Sequence, residues 1–185
     1  MISLALSPGW ILRFRRLGFF CLVLLLSKKK MSLIDLGDIT PNNLGQVRAL
    51  HKALFPVSYS DNFYNELLEA GEFAKLAYYN DVCVGVVCCR KEKDEDLPEK
   101  YKLYMMTLGV LEPYRRLGLG TRLVEHILKQ SQLSTDISRV YLHVQVTNDA
   151  AVDFYKKNQF EVKKTEKDYY KNIEPRDAYL LSKEI

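Results

Sequence analysis

From Leu33 onward the apolar positions switch back and forth between a period near two and a period near 3.6, as alternating strands and helices require. Leu33, Ile34, Leu36 and Ile39 predict an opening strand, and Thr40-Pro41-Asn42 predicts a turn that starts a helix. Leu44, Val47, Leu50, Ala53 and Leu54 then recur at helical spacing. Phe55-Pro56-Val57 stops that helix, because proline disfavours helical geometry in the residue before it. A second helix is predicted over Asp61–Ala70, with Phe63, Leu67 and Leu68 on one side and Gly71 just past its end. Ala74–Tyr79 and Val82–Arg90 flank Asn80-Asp81, a two-residue hairpin turn.

Lys91–Lys100 reads as a charged, solvated loop, and Tyr101–Leu111 as the next strand. The stripe Leu119, Leu123, Ile127 and Leu128 marks a helix over Gly118–Gln132, followed by a strand at Arg139–Val146. Asn148 can cap a helix from Asp149 to about Asn158. Two β-rich segments, Phe160–Lys167 and Ala178–Ser182, end the chain. The order predicts an α/β domain with a mixed sheet covered on both faces.

Residues 1–30 follow another pattern. Arg13, Arg15 and Arg16 precede an apolar run from Leu17 to Leu26, and Lys28–Lys30 close it. Ten helical residues span about 15 Å, roughly half a bilayer core, so the run is too short to cross a membrane. Three readings stand: an extension from an upstream start, with Met31 opening the domain; a targeting or membrane-surface segment; or a cleaved signal. Taking residues 31–185 as the domain changes the charge picture. The whole chain of 185 residues is formally +4, but residues 1–30 hold six of its 27 basic side chains and none of its 23 acids, so the remainder is at −2. Such a body lacks the basic footprint of a nucleic-acid binder, and membrane contact is expected only where residues 1–30 are retained. Cys21, Cys83, Cys88 and Cys89 form no C-x-x-C pair. They read as free thiols of a reducing compartment, the cytoplasm and the nucleus.

The candidate chemistry centres on a strand that runs into a turn and then a helix. The turn holds Arg115, Arg116, Gly118, Gly120 and Thr121. A helix N-terminus presents unpaired N–H groups and a partial positive charge, and glycines let backbone amides approach an anion. Two arginines add charge, so the turn suits a pyrophosphate. Neither G-x-G-x-x-G nor G-x-x-x-x-G-K-[ST] is present.

Arg115-Arg116-Leu117-Gly118-Leu119-Gly120 fits the R/Q-x-x-G-x-G/A signature of GNAT acetyltransferases. With Phe55-Pro56-Val57-Ser58-Tyr59, Ala74–Tyr78, Tyr104–Thr121, Tyr141-Leu142-His143-Val144-Gln145 and Tyr169–Pro175, the chain resembles the N-α-acetyltransferases of the San/NatE catalytic-subunit type from about Ile34 to Leu181. The resemblance implies a GNAT fold, with seven strands in a mixed sheet splayed between the fourth and fifth. It implies acetyl-CoA as cosubstrate, without a metal. It implies acetylation of a polypeptide's N-terminal methionine when a hydrophobic residue follows. Lysine acetylation is also attributed to such enzymes, and an idle partner-binding subunit is the remaining alternative. The N-terminus of a nascent or released protein would be the substrate. The NatA auxiliary helical-repeat subunit, and the ribosome, would be partners.

The same resemblance implies the site. His143, by itself either a core histidine or a base with a pKa near 6.5, becomes the general base. Tyr104 becomes the second catalytic residue, holding a water rather than acting as a base, since a phenol titrates near 10. Leu108 and Val110 offer backbone groups to the pantetheine arm, and an interrupted strand near Leu108-Gly109 offers an N–H to the thioester oxygen. Asn148 and Tyr155 belong to the second cofactor stretch, with Tyr155 placed towards the departing thiolate or simply in the core. Phe55, Pro56, Val57, Tyr59 and Met106 form the peptide pocket, and Tyr169, Tyr170 and Ile173 its covering hairpin. Pro56 stands where NatA-type enzymes carry a catalytic glutamate, which argues against their specificity. Asn158-Gln159-Phe160 departs from the usual glycine after the helix, and Asn158 is expected to take the left-handed position.

Overall fold

The computed structural model describes residues 33–171 and 173–185. The readings of residues 1–30 and of Met31 lie outside the described residues. The strands are β1 (Ile34–Asp38), β2 (Ala74–Tyr79), β3 (Val82–Lys93), β4 (Tyr101–Val110), β5 (Ile137–Gln145), β6 (Glu161–Glu166) and β7 (Ala178–Glu184). The helices are α1 (Leu44–Leu54), α2 (Asp61–Glu69), α3 (Leu119–Leu133) and α4 (Asp149–Lys157). One sheet runs β1-β2-β3-β4-β5-β7-β6. Neighbours are antiparallel except β4 and β5, which are parallel.

Both faces of the sheet are covered, as the two apolar periods require. Leu119, Leu123, Val124 and Ile127 of α3, with Val152 and Tyr155 of α4, pack on Ala77, Val84, Val87 and Leu103. Val47 and Leu50 of α1, with Tyr64 and Leu67 of α2, pack on Leu76, Val86 and Cys88. Val84, Val87 and Cys89 face one layer and Val86 and Cys88 the other, the alternation shifting at Val84 where the β2–β3 register bulges, so Val84–Cys89 is buried throughout. Each helix lays an i, i+3, i+4 stripe on its layer. The β2–β3 turn has positive φ at both Asn80 and Asp81, which suits these two residue types and the twist of a hairpin. Gly71 takes a positive φ just after α2.

Four details differ from the sequence reading. First, β3 continues to Lys93, paired with Tyr101, so Lys91–Lys93 are strand rather than loop. The loop itself is anchored: Asp94 is buried, and its carboxylate accepts from Ser138 Oγ and, at 2.9 Å, from Arg139. Second, β7 runs on to Glu184 because Lys183 and Glu184 stay paired with Val140 and Arg139 of β5. Third, Gln159, not Asn158, takes the left-handed position after α4, at φ 67°. Asn158 instead donates from its side chain to Phe154 O at 2.8 Å. Fourth, β4 is continuous through Leu108-Gly109, whose partners are Val87 and Val86. The irregularity lies at Met106, where the register passes from Cys88↔Thr107 to Cys89↔Met105 and leaves one extra residue. Gly109 answers a close approach instead: a Cβ there would lie 2.8 Å from Leu54 Cδ1 and 3.0 Å from Phe55 Cζ.

Candidate active site

The site opens where the sheet splits. The β4–β5 register extends only from Tyr101↔Ile137 to Tyr104↔Tyr141, while β4 continues to Val110 and β5 to Gln145. Past Tyr104 the edge of β4 is therefore turned to a cleft. Leu111 N–H donates to Val84 O, towards β3, so the strand's alternation turns the backbone groups of Val110 and Leu108 to the cleft. Arg115 Nε donates to Val110 O at 3.0 Å and ties the following turn to this edge.

That turn combines two left-handed residues, Arg116 at φ 65° and Gly118 at φ 91°. Gly118 is the N-cap of α3, and the first bond of the helix runs from Arg122 N–H to Gly118 O. The N–H groups of Leu119, Gly120 and Thr121 precede that bond and have no intrahelical acceptor. Gly120 lies against Phe154 of α4, where a Cβ would sit 3.4 Å from the ring. Asn148 caps α4 by accepting from Ala151 N–H at 3.1 Å. Tyr155 is buried, and its hydroxyl donates to Met105 Sδ at 3.7 Å, one residue past the last β5-paired position of β4. Burial raises its pKa strongly, so the phenol stays neutral and available as a donor.

At the foot of the split, Tyr104 and His143 stand on adjacent strands with ring centroids 5.7 Å apart, edge to face. Tyr169 stacks on His143 at 4.0 Å and shares a hydrogen bond with Tyr104, hydroxyl to hydroxyl, at 2.8 Å. Tyr170 stands edge-on to Tyr169, and its hydroxyl reaches His143 O at 3.5 Å. Burial, then the Tyr169 hydroxyl, raise the Tyr104 pKa far above the ordinary phenol value. Tyr104 is therefore a neutral hydrogen-bonding group at any physiological pH. Burial lowers the pKa of His143, and the Glu166 carboxylate opposes that shift. A neutral imidazole with an available lone pair results.

Of the residues assigned to the peptide from the sequence, Phe55, Pro56, Val57 and Tyr59 gather at the end of α1. A cavity of about 330 Å³ is lined by Arg48, His51, Lys52, Phe55, Pro56, Val57, Ser58, Tyr59 and Tyr64. Phe55 rests against Gly109 of β4, which joins this wall to the cleft. Met106 is half-buried and packs with the same layer, and Ile173 is half-buried beyond the tyrosine pair. The structure thus divides the sequence-derived residues into three groups: the turn, the Tyr104–His143–Tyr169–Tyr170 cluster, and the α1 wall.

Sequence reasoning missed several members of the cluster. Tyr141 stacks on Tyr104 at 4.9 Å and donates to Glu92. Arg90 grips the same carboxylate through Nε and a terminal nitrogen, at 3.0 and 2.7 Å. Glu166 Oε2 lies 3.1 Å from His143 Nε2. Glu92 falls in the segment that reads as a charged loop, and Arg90 and Glu166 lie at the charged ends of strands that read as solvated. His51 carried a usable signal, since it sits four residues after Val47 on the apolar stripe of α1.

Comparison with known proteins agrees with this geometry. The acetyltransferase (GNAT) family matches residues 44–160. N-alpha-acetyltransferase 50 of Danio rerio is 50% identical over 152 residues, 82% of this chain and 89% of that protein. The probable N-acetyltransferase san of Drosophila melanogaster is 51% identical over 154 residues, 83% of this chain and 82% of that one. Among solved structures, Arabidopsis thaliana Naa50 in complex with the bisubstrate analogue CoA-Ac-MVNAL is 46% identical, with a TM-score of 0.77 over 83% of this chain and all of that one. A seven-stranded sheet split beside a single parallel pair, and half of the aligned residues shared with these relatives, show that the chain belongs to the GNAT acetyltransferases, in the group of N-alpha-acetyltransferase 50 and San.

Proposed function

We propose that this enzyme transfers the acetyl group of acetyl-CoA to the N-terminal amine of polypeptides that begin with methionine and a hydrophobic residue. The observation that carries the reading is the split past Tyr104, with an anion-seeking helix terminus on one side and the aromatic wall of α1 on the other. In this reading the pyrophosphate lies on the N–H groups of Leu119, Gly120 and Thr121, assisted by Arg115 and Arg116. The pantetheine arm runs along the cleft edge of β4 at Leu108 and Val110. His143 takes a proton from the α-amine, directly or through a water held by Tyr104. The amine attacks the thioester carbonyl and the C–S bond breaks. Tyr155, whose partner here is a weak thioether acceptor, turns its hydroxyl to the departing thiolate. Asn148 is the helix cap that holds α4, and so Tyr155, in place. The reading brings with it a helical-repeat auxiliary subunit of the NatA kind and, through it, the ribosome as partners, in the cytoplasm and the nucleus.

Substrate choice follows from the wall. Phe55, Pro56, Val57, Tyr59, Met106 and Ile173 are apolar or aromatic, and in this reading Tyr169 and Tyr170 close over the bound peptide. Burying a methionine side chain stabilises the complex by roughly 1.5–3 kcal/mol over leaving it exposed. Arg48 and Lys52 line the cavity and no acidic side chain does, which disfavours a basic residue after the methionine. An internal lysine titrates near 10.4 against about 7.7–8.0 for an α-amine, so far less of it is neutral at pH 7.5. Met-Leu peptides are expected to give a kcat/KM at least about tenfold above Ser- or Ala-starting peptides and above an internal-lysine peptide. Equal values for Ser- and Met-Leu-starting peptides would overturn the pocket assignment, and a preference for internal lysine would transfer the activity to side chains.

The turn yields a second test. A Cβ on Gly118 would meet nothing closer than Ile34 Cδ1 at 3.9 Å, so space does not forbid alanine there. Its φ of 91° does, because left-handed backbone costs an L-residue roughly 1–2 kcal/mol. Gly118→Ala is expected to relax the turn, lower Tm by a few degrees and weaken acetyl-CoA binding several-fold, as read by calorimetric titration. A Kd equal to that of the parent protein would remove the turn from the cofactor site.

A further inference from the structure

Glu166 ends β6, two strands away from His143 in the order β5-β7-β6. Its partner on β7 is Ala178, which also pairs with Gln145, so Glu166, Gln145 and His143 share one face of the sheet. The side chain crosses β7 past this small residue and brings Oε2 to 3.1 Å from His143 Nε2. Lys164 binds the other oxygen at 2.8 Å. A hydrogen bond from Lys164, with help from His143, holds the Glu166 carboxyl below its ordinary range, so it is ionised and can only accept. The hydrogen between Glu166 and His143 therefore belongs to Nε2. Nδ1 of the neutral ring then carries the lone pair, and Nδ1 is buried with no hydrogen-bond partner among the described residues. Tyr169 covers one face of the ring and Tyr104 stands at its edge.

We infer that Glu166 is a positioning residue for the acyl transfer: its carboxylate holds the Nε2–H of His143 and so leaves Nδ1 as the atom that takes the proton of the attacking amine. The inference rests on the reading of His143 as the base. In the step, the amine nitrogen bonds to the acetyl carbon, the C–S bond breaks, and the amine proton passes to Nδ1. The resulting imidazolium, protonated at both nitrogens, faces a carboxylate rather than an apolar wall, which stabilises the charge as it forms. The imidazolium then returns a proton to the departing thiolate, leaving neutral imidazole and CoA thiol. Other groups around the ring temper this effect. Lys164 of β6 opposes protonation and Glu92 of β3 favours it. Tyr104 of β4, Tyr141 of β5, and Tyr169 and Tyr170 of the β6–β7 segment surround the ring as phenols.

The test is a titration of 15N-labelled protein, whose three histidines keep the imidazole spectrum simple. His143 is expected to show a pyrrole-like Nε2 and a pyridine-like Nδ1. Glu166→Gln should move its midpoint to lower pH, and Lys164→Met should move it to higher pH, opposite shifts that a merely structural role of β6 would not produce. Glu166→Gln should also lower kcat about 10–100-fold with little change in KM for the peptide. A pyridine-like Nε2 in the parent protein, or midpoints unmoved by both substitutions, would overturn the positioning role. Loss of activity in His143→Ala alongside unmoved midpoints would confine the failure to Glu166. Full activity of His143→Ala would overturn the base reading, and the positioning role with it.

Discussion

Replacing His143 with alanine is expected to lower kcat on a Met-Leu peptide by about 10²–10⁴-fold, the range that a positioned general base contributes. KM for the peptide should change little, because in the proposed reading the α1 wall and the tyrosine pair, rather than the imidazole, hold the first two residues. Tyr104→Phe should lower kcat by about 10²-fold, comparable to removing one donor from a polar site. That variant keeps the stack on Tyr141 and loses only the hydroxyl, which at 2.8 Å bonds Tyr169. The two losses differ in origin. Burial and the Tyr169 hydroxyl keep the Tyr104 phenol neutral, so removing it takes away a hydrogen-bonding group. Removing His143 takes away the imidazole read as the base, whose pKa burial lowers against the opposing pull of the Glu166 carboxylate. Steady-state kinetics with acetyl-CoA, alongside calorimetric binding of the cofactor and a thermal melt, separates chemistry from folding. Rates equal to the parent protein in both variants, with cofactor binding intact, would move the base elsewhere in the cleft.

Much of this site could be read from the chain because local physics writes itself into local sequence. The stripe Leu119, Leu123, Ile127 fixes α3, and the paired turn residues Asn80 and Asp81 fix a hairpin whose two positive φ values leave few alternatives. Arg115, Arg116, Gly118 and Gly120 before the stripe point to a tight turn at a helix start, and the structure begins α3 just after Gly118. Positions set by partners far along the chain were not legible. Glu166 meets His143 23 residues away, across an intervening strand, and nothing in Glu161–Glu166 distinguishes it from a solvated edge. Glu92 binds Tyr141 49 residues on, from a stretch whose charges suggest a loop. The extra residue at Met106 depends on how β3 and β4 align, which neither strand encodes alone. Asp94 is buried because Ser138 and Arg139 reach it from β5, and an acidic residue in a charged run gives no hint of that.

Acid should loosen the aromatic wall of α1 before it protonates the structural carboxylates. His51 is 1% exposed inside the rings of Phe55, Tyr59, Phe63 and Tyr64, with centroids 5.0–5.7 Å away. Its Nε2 lies 3.4 Å from Thr107 Oγ1 and 3.9 Å from Cys88 Sγ, and its Nδ1 is buried without a hydrogen-bond partner among the described residues. Burial lowers its pKa from 6.5 to about 4. The unfolded chain therefore binds a proton below pH 6.5 that the folded chain refuses until about pH 4. Stability contributed by the neutral ring is complete above pH 6.5 and falls away as pH drops towards 4, by roughly 3 kcal/mol in all. Asp38, Glu92, Asp94 and Glu166 have lowered pKa values and lose their contributions only at more acid pH, below their unfolded values. His143 is also lowered and adds a loss of the same sign. The contribution of His51 is isolated by comparing the parent protein with His51→Leu in urea unfolding at pH 7.5, 5.5 and 4.5. The leucine variant should lose less stability between the first and last of these, by up to roughly 3 kcal/mol, and should keep its peptide KM at pH 5.5 better than the parent protein does. Parallel stability curves for the two proteins would mean that His51 is solvated or charged in the folded state, and that the wall at Phe55 and Tyr59 does not depend on a neutral ring beneath it.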